Sequence, residues 1–229
     1  MAPAVHPPLF STLKHRVHHR HSETEADPHN AARGFFFAHC GWLFLDKHRS
    51  VIEAGRQVGM SDLEADWTVM FQDRNKHWMM PLFCFVLPAT VATLLGDTYW
   101  NGLLIVGALR YVSVLHGTWM VNSVAHWYGM RPYKQINPSE NWLVTFFSGG
   151  EGWHNWHHVY PSDYSASELG ILDQFNPTTA FIDAMAFLGL VWDRKKSKWN
   201  PNKKTDAKEE KDENDHVHGQ DQKFVHCDK

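Results

Sequence analysis

The chain has 229 residues, with 22 lysines and arginines against 25 aspartates and glutamates, and 17 histidines. A formal net charge of −3 excludes an extended nucleic-acid surface, because a phosphate-binding face needs a marked basic excess. Three cysteines without CxxC spacing (Cys40, Cys84 and Cys227) support neither a disulfide framework nor a zinc ribbon.

The first patterned segment is HRVHH, residues 15–19, after an irregular lead-in over residues 1 to about 12. The first ten residues, MAPAVHPPLF, lack the features of a signal peptide, so membrane targeting is expected from inside the chain. We predict a helix from Lys14 to about His21, which places His15, His18 and His19 on one face. Three imidazoles on one helix face are a metal-ligand arrangement.

The segment from Gly34 to Leu45 is apolar but shorter than a membrane span, and His39 interrupts it. A helix at the membrane surface or buried in the protein fits this pattern better than a transmembrane one. The polar residues from Asp46 to Arg49 are then expected to be exposed to water.

Two longer apolar runs predict a transmembrane hairpin. Trp78 to Gly96 is about 19 residues without a charge, about enough at 1.5 Å per residue for a bilayer core of roughly 30 Å. Asn101 to Val121 is a second span of about 21 residues, which contains Arg110 and His116. An ionisable residue within a span that faces protein or a cavity is often functional.

The flanking charges predict the orientation of this hairpin. Arg74 and Lys76 precede it, Arg131 and Lys134 follow it, and the connecting turn has no lysine or arginine. The positive-inside rule therefore puts both ends of the hairpin in the cytosol. The histidine segments on either side of the hairpin can then reach one site.

The HRVHH spacing recurs in HNWHH, residues 154–158. A single copy fits ordinary surface or core histidines about as well as ligands, but two copies are expected by chance only on the order of a few times in a thousand such chains. Between them lies NSVAH, residues 122–126, whose polar ends are also four residues apart. Further along, Asn176 and Pro177 predict the start of another helix.

These motifs resemble those of membrane-bound acyl-CoA desaturases, the stearoyl-CoA desaturase group, and look most like its insect branch. The resemblance runs from about Leu13 to about Trp192. It rests on HRVHH with the following SETEADPHN, and on GFFFAHCGW, SDLEAD, TWMVNSVAHWYGMRPY, GEGWHNWHH and NPTTAFID.

The resemblance implies a mainly α fold, an integral membrane helical hairpin with a cytosolic helical cap that carries the histidine boxes. We expect a cytosolic segment with the HRVHH box and an interfacial helix over residues 1–75, and a transmembrane hairpin over 76–122. A cytosolic cap with the NSVAH and HNWHH boxes follows over 123–193. The polar residues 194–229, which include His216 and His218, bury too little surface to fold and are expected to be a disordered tail.

The resemblance also implies an activity, the desaturation of fatty acyl-CoA with O2 and electrons from cytochrome b5. The expected enzyme is a multi-pass protein of the endoplasmic reticulum membrane with both termini cytosolic. It contains a diiron centre, has membrane lipid as a partner and needs no catalytic residue beyond the metal centre. The direct iron ligands it implies are His15, His18, His19, His126, His154, His157 and His158.

Other residues take roles from the same resemblance. Asn122 matches a position that reaches the metal through water, and Lys47 matches a contact to the CoA part of the substrate. Thr118 and Trp119 match positions that line the acyl tunnel. Separately, acceptors for the outer imidazole nitrogens are expected, and Asp27, Glu151 and Asn155 are candidates.

The sequence also departs from the family pattern. The family carries a membrane hairpin and a His-x-x-x-x-His box upstream of the first box, and neither is found here. Lys14 stands where an acidic residue is usual, Asp46 where a basic residue is usual, and Trp153 and Trp156 where Phe and Tyr are common.

Two further hypotheses therefore stay open beside the enzyme. The chain is a catalytically silent, truncated desaturase-like protein that binds metal, lipid or a full-length desaturase, or it is a histidine-box hydroxylase. If the sequence is full length, we expect fewer than two stably bound irons and poor turnover.

Overall fold

The computed structural model describes residues 8–134 and 136–199, and these are mainly α-helical, as expected. Within those ranges, extended pairing is limited to isolated bridges from Glu140 to Met130 and to Trp153. Short 3-10 turns lie at Ala31–Arg33 and Gly41–Leu43, and π-helical segments at Leu82–Val86 and Gly102–Leu109. The α-helices, in chain order, are α1 Pro8–His21, α2 Phe35–His39, α3 Arg49–Arg56, α4 Ser61–Ala65, α5 Trp67–Pro81, α6 Leu87–Leu94, α7 Tyr99–Asn101, α8 Arg110–Asn122, α9 Val124–Trp127, α10 Trp142–Ser148, α11 His154–Val159 and α12 Pro177–Phe187.

Helix α1 begins at Pro8, so the irregular lead-in predicted to reach residue 12 is wrong in its last residues. Proline suits the first position of a helix, because its φ is already helical and its missing N–H would have no partner there. The ring of Phe10 also packs against the Lys14 side chain, with Nζ 3.9 Å from the ring centre. The earlier start leaves the predicted histidine face on the last two turns.

Two continuous helices, Trp67–Leu94 and Tyr99–Trp127, are long and apolar enough to cross a membrane. Only 11% and 17% of their most apolar stretches are buried inside the protein, which distinguishes them from the core helices of a soluble domain. We call them the membrane hairpin.

Both hairpin helices begin before the predicted apolar runs. The Asp66 side chain accepts a hydrogen bond from Thr68 N at 2.8 Å, and the Thr98 side chain accepts one from Asn101 N at 3.2 Å. Such caps satisfy the free N–H groups of a first turn, so the helix begins at the cap and not at the first apolar residue.

Small residues and one arginine hold the hairpin helices together. A Cβ added at Gly102 would lie 2.9 Å from Cα of Ala89, which is itself fully buried. Arg110 donates from Nη2 to the carbonyl of Cys84 and from Nε to the carbonyl of Val106, each at 2.9 Å. Its polar head therefore ends on backbone oxygens of the two hairpin helices.

The apolar segment from Gly34 to Leu45 forms helix α2 and a 3-10 turn, with Ala38 buried and Phe36 and Phe44 exposed. His39 joins α2 to the second hairpin helix, since its Nδ1 lies 2.9 Å from Ser123 Oγ. The segment from Gly34 to Leu45 therefore has one buried side and one exposed side.

Helix α10 packs on helix α8 of the membrane hairpin. Gly117 of α8 lies so close to α10 that an added Cβ would be 2.7 Å from the Phe147 carbonyl. Helix α11 is held through a cluster of Trp156, which is fully buried, Val159 and Tyr160, against which Tyr133 and Ile136 pack. Helix α12 begins at Pro177 with the Asn176 side chain capping Thr179 N, as the sequence predicted.

The first residues of the predicted disordered tail, 194–199, make defined contacts. Lys196 Nζ donates to the Ser167 carbonyl at 2.7 Å, and Ser197 N donates to Asp163 Oδ2 at 2.8 Å. The rest of the predicted tail, with His216 and His218, lies outside the described residues.

Candidate metal centre

Seven histidines from three segments of the chain converge where the second hairpin helix ends. Helices α1 and α11 each supply three of them, because the 1, 4, 5 spacing brings the rings to one side of a helix. The seventh, His126, lies on α9, the last turn of the second hairpin helix. The structure thus brings together all seven histidines to which the resemblance gave a ligand role, although that role stays a prediction.

Four of these rings form one compact set, which we call the four-histidine group. It contains His18, His126, His154 and His158, and one ring nitrogen from each lies within 4.8 Å of the others. The Nε2 atoms of His126 and His154 are 3.0 Å apart, those of His154 and His158 3.1 Å, and those of His18 and His158 3.3 Å.

The other three rings, His15, His19 and His157, form the three-histidine group. Here the Nε2 atoms of His19 and His157 are 3.0 Å apart, and those of His157 and His15 are 3.3 Å apart. The groups touch, because the rings of His19 and His158 stack with their centres 4.3 Å apart.

The two helices serve the two groups in a reciprocal way. Helix α1 gives His15 and His19 to the three-histidine group and His18 to the four-histidine group. Helix α11 does the opposite, since His154 and His158 join the four-histidine group and His157 joins the three-histidine group.

Two carboxylates orient rings of the four-histidine group. Nδ1 of His18 lies 2.9 Å from both oxygens of the fully buried Asp27 carboxylate. Nδ1 of His126 lies 2.7 Å from Glu23 Oε1. Each ring therefore carries its proton on Nδ1 and points the lone pair of Nε2 into the group, which is the tautomer that binds a metal through Nε2.

The proton positions indicate whether a cation fits between the rings of the four-histidine group. With Nδ1 protonated on His18 and His126, the close Nε2 contacts in the four-histidine group cannot all be hydrogen bonds, since each imidazole offers only one proton. A single ion satisfies them together. Two nitrogens bound about 2.0–2.1 Å from one ion, at angles of about 90–110°, stand about 2.9–3.4 Å apart, which matches the observed spacing.

The protonation state also suits a metal. Burial, with a contribution from His15, lowers the pKa of His157 to about 3. Burial, reinforced by neighbouring imidazoles, also holds the pKa of His18, His19, His154 and His158 well below the usual 6.5. The rings are neutral at physiological pH, and neutral imidazole is a ligand for iron, zinc, copper and nickel.

The other predicted site residues lie around the histidines. Asn122 is the last residue of α8, just before the break that leads to His126. Thr118 Oγ1 is bonded to the Val114 carbonyl at 3.0 Å, and the Trp119 ring lies edge-on to His39 and His116.

Lys47 lies with Lys14 in a pocket bounded by Phe37, Trp42 and Val51. The Phe10 ring lies under both ammonium groups, 3.9 Å from Lys14 Nζ and 4.2 Å from Lys47 Nζ. Burial and the charge of Lys47 lower the pKa of Lys14 to about 7. Arg33, Asp27 and Asp46 also line the pocket, so its three cationic side chains outnumber its two carboxylates.

Of the three residues proposed from sequence to orient imidazoles, only Asp27 contacts a ring of the seven histidines, that of His18. Asn155 instead binds backbone groups of Tyr133, Lys134 and Pro138, for example the Pro138 carbonyl at 2.8 Å. Within the described part of the chain, Glu151 makes no hydrogen bond to a histidine. The sequence analysis missed Glu23, which is separated from His126 by 103 residues. Its only local signal was its place in SETEAD, directly after the first box.

Comparison with known proteins gives a consistent family. The chain matches the family model described as Fatty acid desaturase over residues 1–171. It is 55% identical over 185 residues to stearoyl-CoA desaturase 5 of Bos taurus, covering 80% of this chain and 55% of that protein. It is 51% identical over 183 residues to the acyl-CoA Delta-9 desaturase of Acheta domesticus, covering 79% of this chain and 51% of that protein. The chain spans about half the length of the curated relatives it matches.

Proposed function

Since the chain belongs to the fatty acid desaturase family, we propose that it is a membrane-bound fatty-acyl-CoA desaturase. It introduces a double bond into an acyl chain with O2 and two electrons from cytochrome b5, and it works in the endoplasmic reticulum membrane with both termini cytosolic. The observation that carries this proposal is the convergence of seven imidazoles at the end of the membrane hairpin.

The two histidine groups are the ligands of two iron ions, with Asn122 reaching the metal through water. When bound, the diiron centre with O2 supplies the oxidising power that removes two hydrogens from adjacent methylenes, a step beyond ordinary side chains. In the overall reaction, the acyl chain loses two hydrogens. These two hydrogens, two electrons and two protons reduce O2 to two molecules of water.

The side chains of this protein supply orientation. Asp27 and Glu23 hold a proton on the outer nitrogen of His18 and His126, so that each ring keeps its lone pair toward the metal. Thr118 and Trp119 line the acyl tunnel. The bond from Thr118 to the Val114 carbonyl and the rings of His39 and His116 beside Trp119 hold both side chains in place.

The CoA part of the substrate binds at Lys47. Lys14 stands beside it in the same pocket, and two neighbouring ammonium groups gain from an anion that neutralises both. The phosphate groups of CoA carry that charge. Lys14 then compensates for the absence of a basic residue at Asp46.

Expression in desaturase-deficient cells tests the proposal. We expect a new double bond in the cellular fatty acids, and none when His158 is replaced by Ala at equal protein level. Saturated products only, from well-expressed protein, would refute the enzyme. Co-purification with a full-length desaturase would then favour the catalytically silent alternative, and a hydroxylated product would favour the hydroxylase.

A further inference from the structure

The two histidine groups differ in their access to solvent. In the four-histidine group, His18 is 2% exposed, His126 and His154 are each 3% exposed, and His158 is half-buried. In the three-histidine group, His15 is exposed and His19 and His157 are half-buried. An ion in the first group is therefore more enclosed by protein than an ion in the second, which has a side open to water and to competing ligands.

The groups also differ in what holds their rings. Both recorded carboxylate contacts to the outer nitrogen of these seven histidines fall in the four-histidine group, on His18 and His126. One ring in each group, His154 in the four-histidine group and His157 in the three-histidine group, has a buried Nδ1 without a hydrogen-bond partner. The groups therefore differ in their carboxylate contacts and not in this respect. A ring without such a carboxylate is a weaker base and has a less defined orientation.

The two carboxylates are themselves locked by the loop that follows α1. Glu23 N donates to Asp27 Oδ2 at 2.9 Å, and His29 N donates to Asp27 Oδ1 at 3.0 Å. The second oxygen of the Glu23 carboxylate accepts from Ala32 N at 3.1 Å. Glu23 also has a φ of 62°, a left-handed conformation that is unfavourable for a side chain and persists only where its surroundings enforce it.

We propose that the two groups hold their metal ions unequally. The four-histidine group binds one ion tightly, and the three-histidine group binds a second ion weakly and exchanges it. The proposal rests on the proposed function for the identity of the ions as iron, but the inequality follows from burial, ligand number and carboxylate support. Since loss of one such carboxylate typically lowers metal affinity 10- to 100-fold, we expect the two affinities to differ by at least about 10-fold.

Metal titration of the detergent-purified chain tests this directly. The metal-free protein is titrated with Fe²⁺ without oxygen, and in parallel with Co²⁺, against a competing chelator, and bound metal is counted by elemental analysis. We expect two separate binding steps. His154→Ala removes the tight step, and His15→Ala removes the weak step and leaves the tight one.

Variants of the two carboxylates provide a second test in the same metal titration. Glu23→Gln and Asp27→Asn are each expected to lower the affinity of the tight step 10- to 100-fold and to leave the weak step within about 3-fold. Glu25→Gln is the matched control, because this carboxylate lies exposed on the same loop. Helical content and elution volume of each variant report its folding, and Glu23→Gln keeps an oxygen for the bond from Ala32.

Several outcomes would overturn the inequality. For the wild-type protein, these are the binding of two ions in one step or the absence of bound metal. For the variants, they are loss of the tight step in His15→Ala or an unchanged tight step in both carboxylate variants. None of these readings depends on desaturation. Unequal binding without a new double bond leaves the inequality standing and refutes the enzyme, whereas desaturation with equal binding does the reverse.

Discussion

At the scale of single residues, the centre depends on one nitrogen from each of seven rings. We expect His157→Ala and His18→Ala each to abolish desaturation, because each removes a ligand and no neighbouring side chain replaces the lone pair. Product analysis at equal protein level measures the loss. His77→Ala, an exposed histidine on α5, serves as the control and should keep activity. Activity equal to wild type in both ligand variants would rule out the assignments.

The buried imidazoles also predict how stability varies with pH. Their folded-state pKa values lie below 6.5, for His157 at about 3, so between these values the unfolded chain binds more protons than the folded one. Stability of the metal-free protein therefore falls as pH decreases below about 6.5, by about 1.4 kcal/mol per pH unit for each proton excluded.

Two groups oppose that trend. Burial raises the pKa of Glu140 to about 7 and also raises the pKa of Glu151, so below these values the folded state holds protons that the unfolded state has lost. Five histidines outnumber these two carboxyls. The melting temperature of metal-free protein in detergent, measured from pH 8 to pH 4, should decline steadily below about 6.5, and a constant or rising value would contradict the prediction.

Sequence reasoning at this scale reached the residues but not their grouping. The spacing of HRVHH and HNWHH pointed to His15, His18, His19, His154, His157 and His158, and the resemblance added His126. The division into two groups depends on the relative rotation of α1 and α11, which no local pattern encodes. Sequence reasoning did not find the contact between Glu23 and His126 for the same reason, because the contact forms only when segments 103 residues apart are brought together.

At the scale of elements, the hairpin depends on close approach of its two helices. Gly102→Ala places a Cβ 2.9 Å from Cα and the carbonyl oxygen of Ala89, and backbone atoms cannot move aside cheaply. We expect a lower melting temperature in detergent, equivalent to about 1–3 kcal/mol.

Gly107→Ala is the control for this substitution. Its added Cβ meets Phe85 at 3.5 Å, an ordinary contact. Alanine also forms helix better than glycine, so this variant should melt at or above the wild-type temperature. Equal melting of both variants would show that the contact at Gly102 is not limiting.

Sequence patterns found both hairpin helices but placed their starts too late. Hydropathy marks the stretch that suits a bilayer core, whereas the ends are set by caps such as Asp66 and Thr98, which sit in polar sequence. The start of α1 was misplaced because Pro8 was treated as a mark of irregular chain and not as a first helical residue.

At the scale of the whole molecule, the exposed apolar surface of the hairpin predicts firm membrane attachment. We expect the recombinant chain to stay with membranes through residues 78–121 after high salt and after alkaline carbonate. Attachment by the segment from Gly34 to Leu45 alone would be released by carbonate. Recovery of most of the protein in the carbonate supernatant would refute the hairpin.

The reciprocal use of α1 and α11 has a consequence for how the centre can change over time. Each helix carries histidines of both groups, so the distance between the two groups is set by the pitch of the α-helix. Point substitution changes the composition of either group but does not move one group relative to the other. An inserted residue between His154 and His157 would turn the following histidines by about 100° and damage both groups at once. The spacing of the two groups is thus a trait that evolution or design can keep or lose, but cannot adjust by degrees.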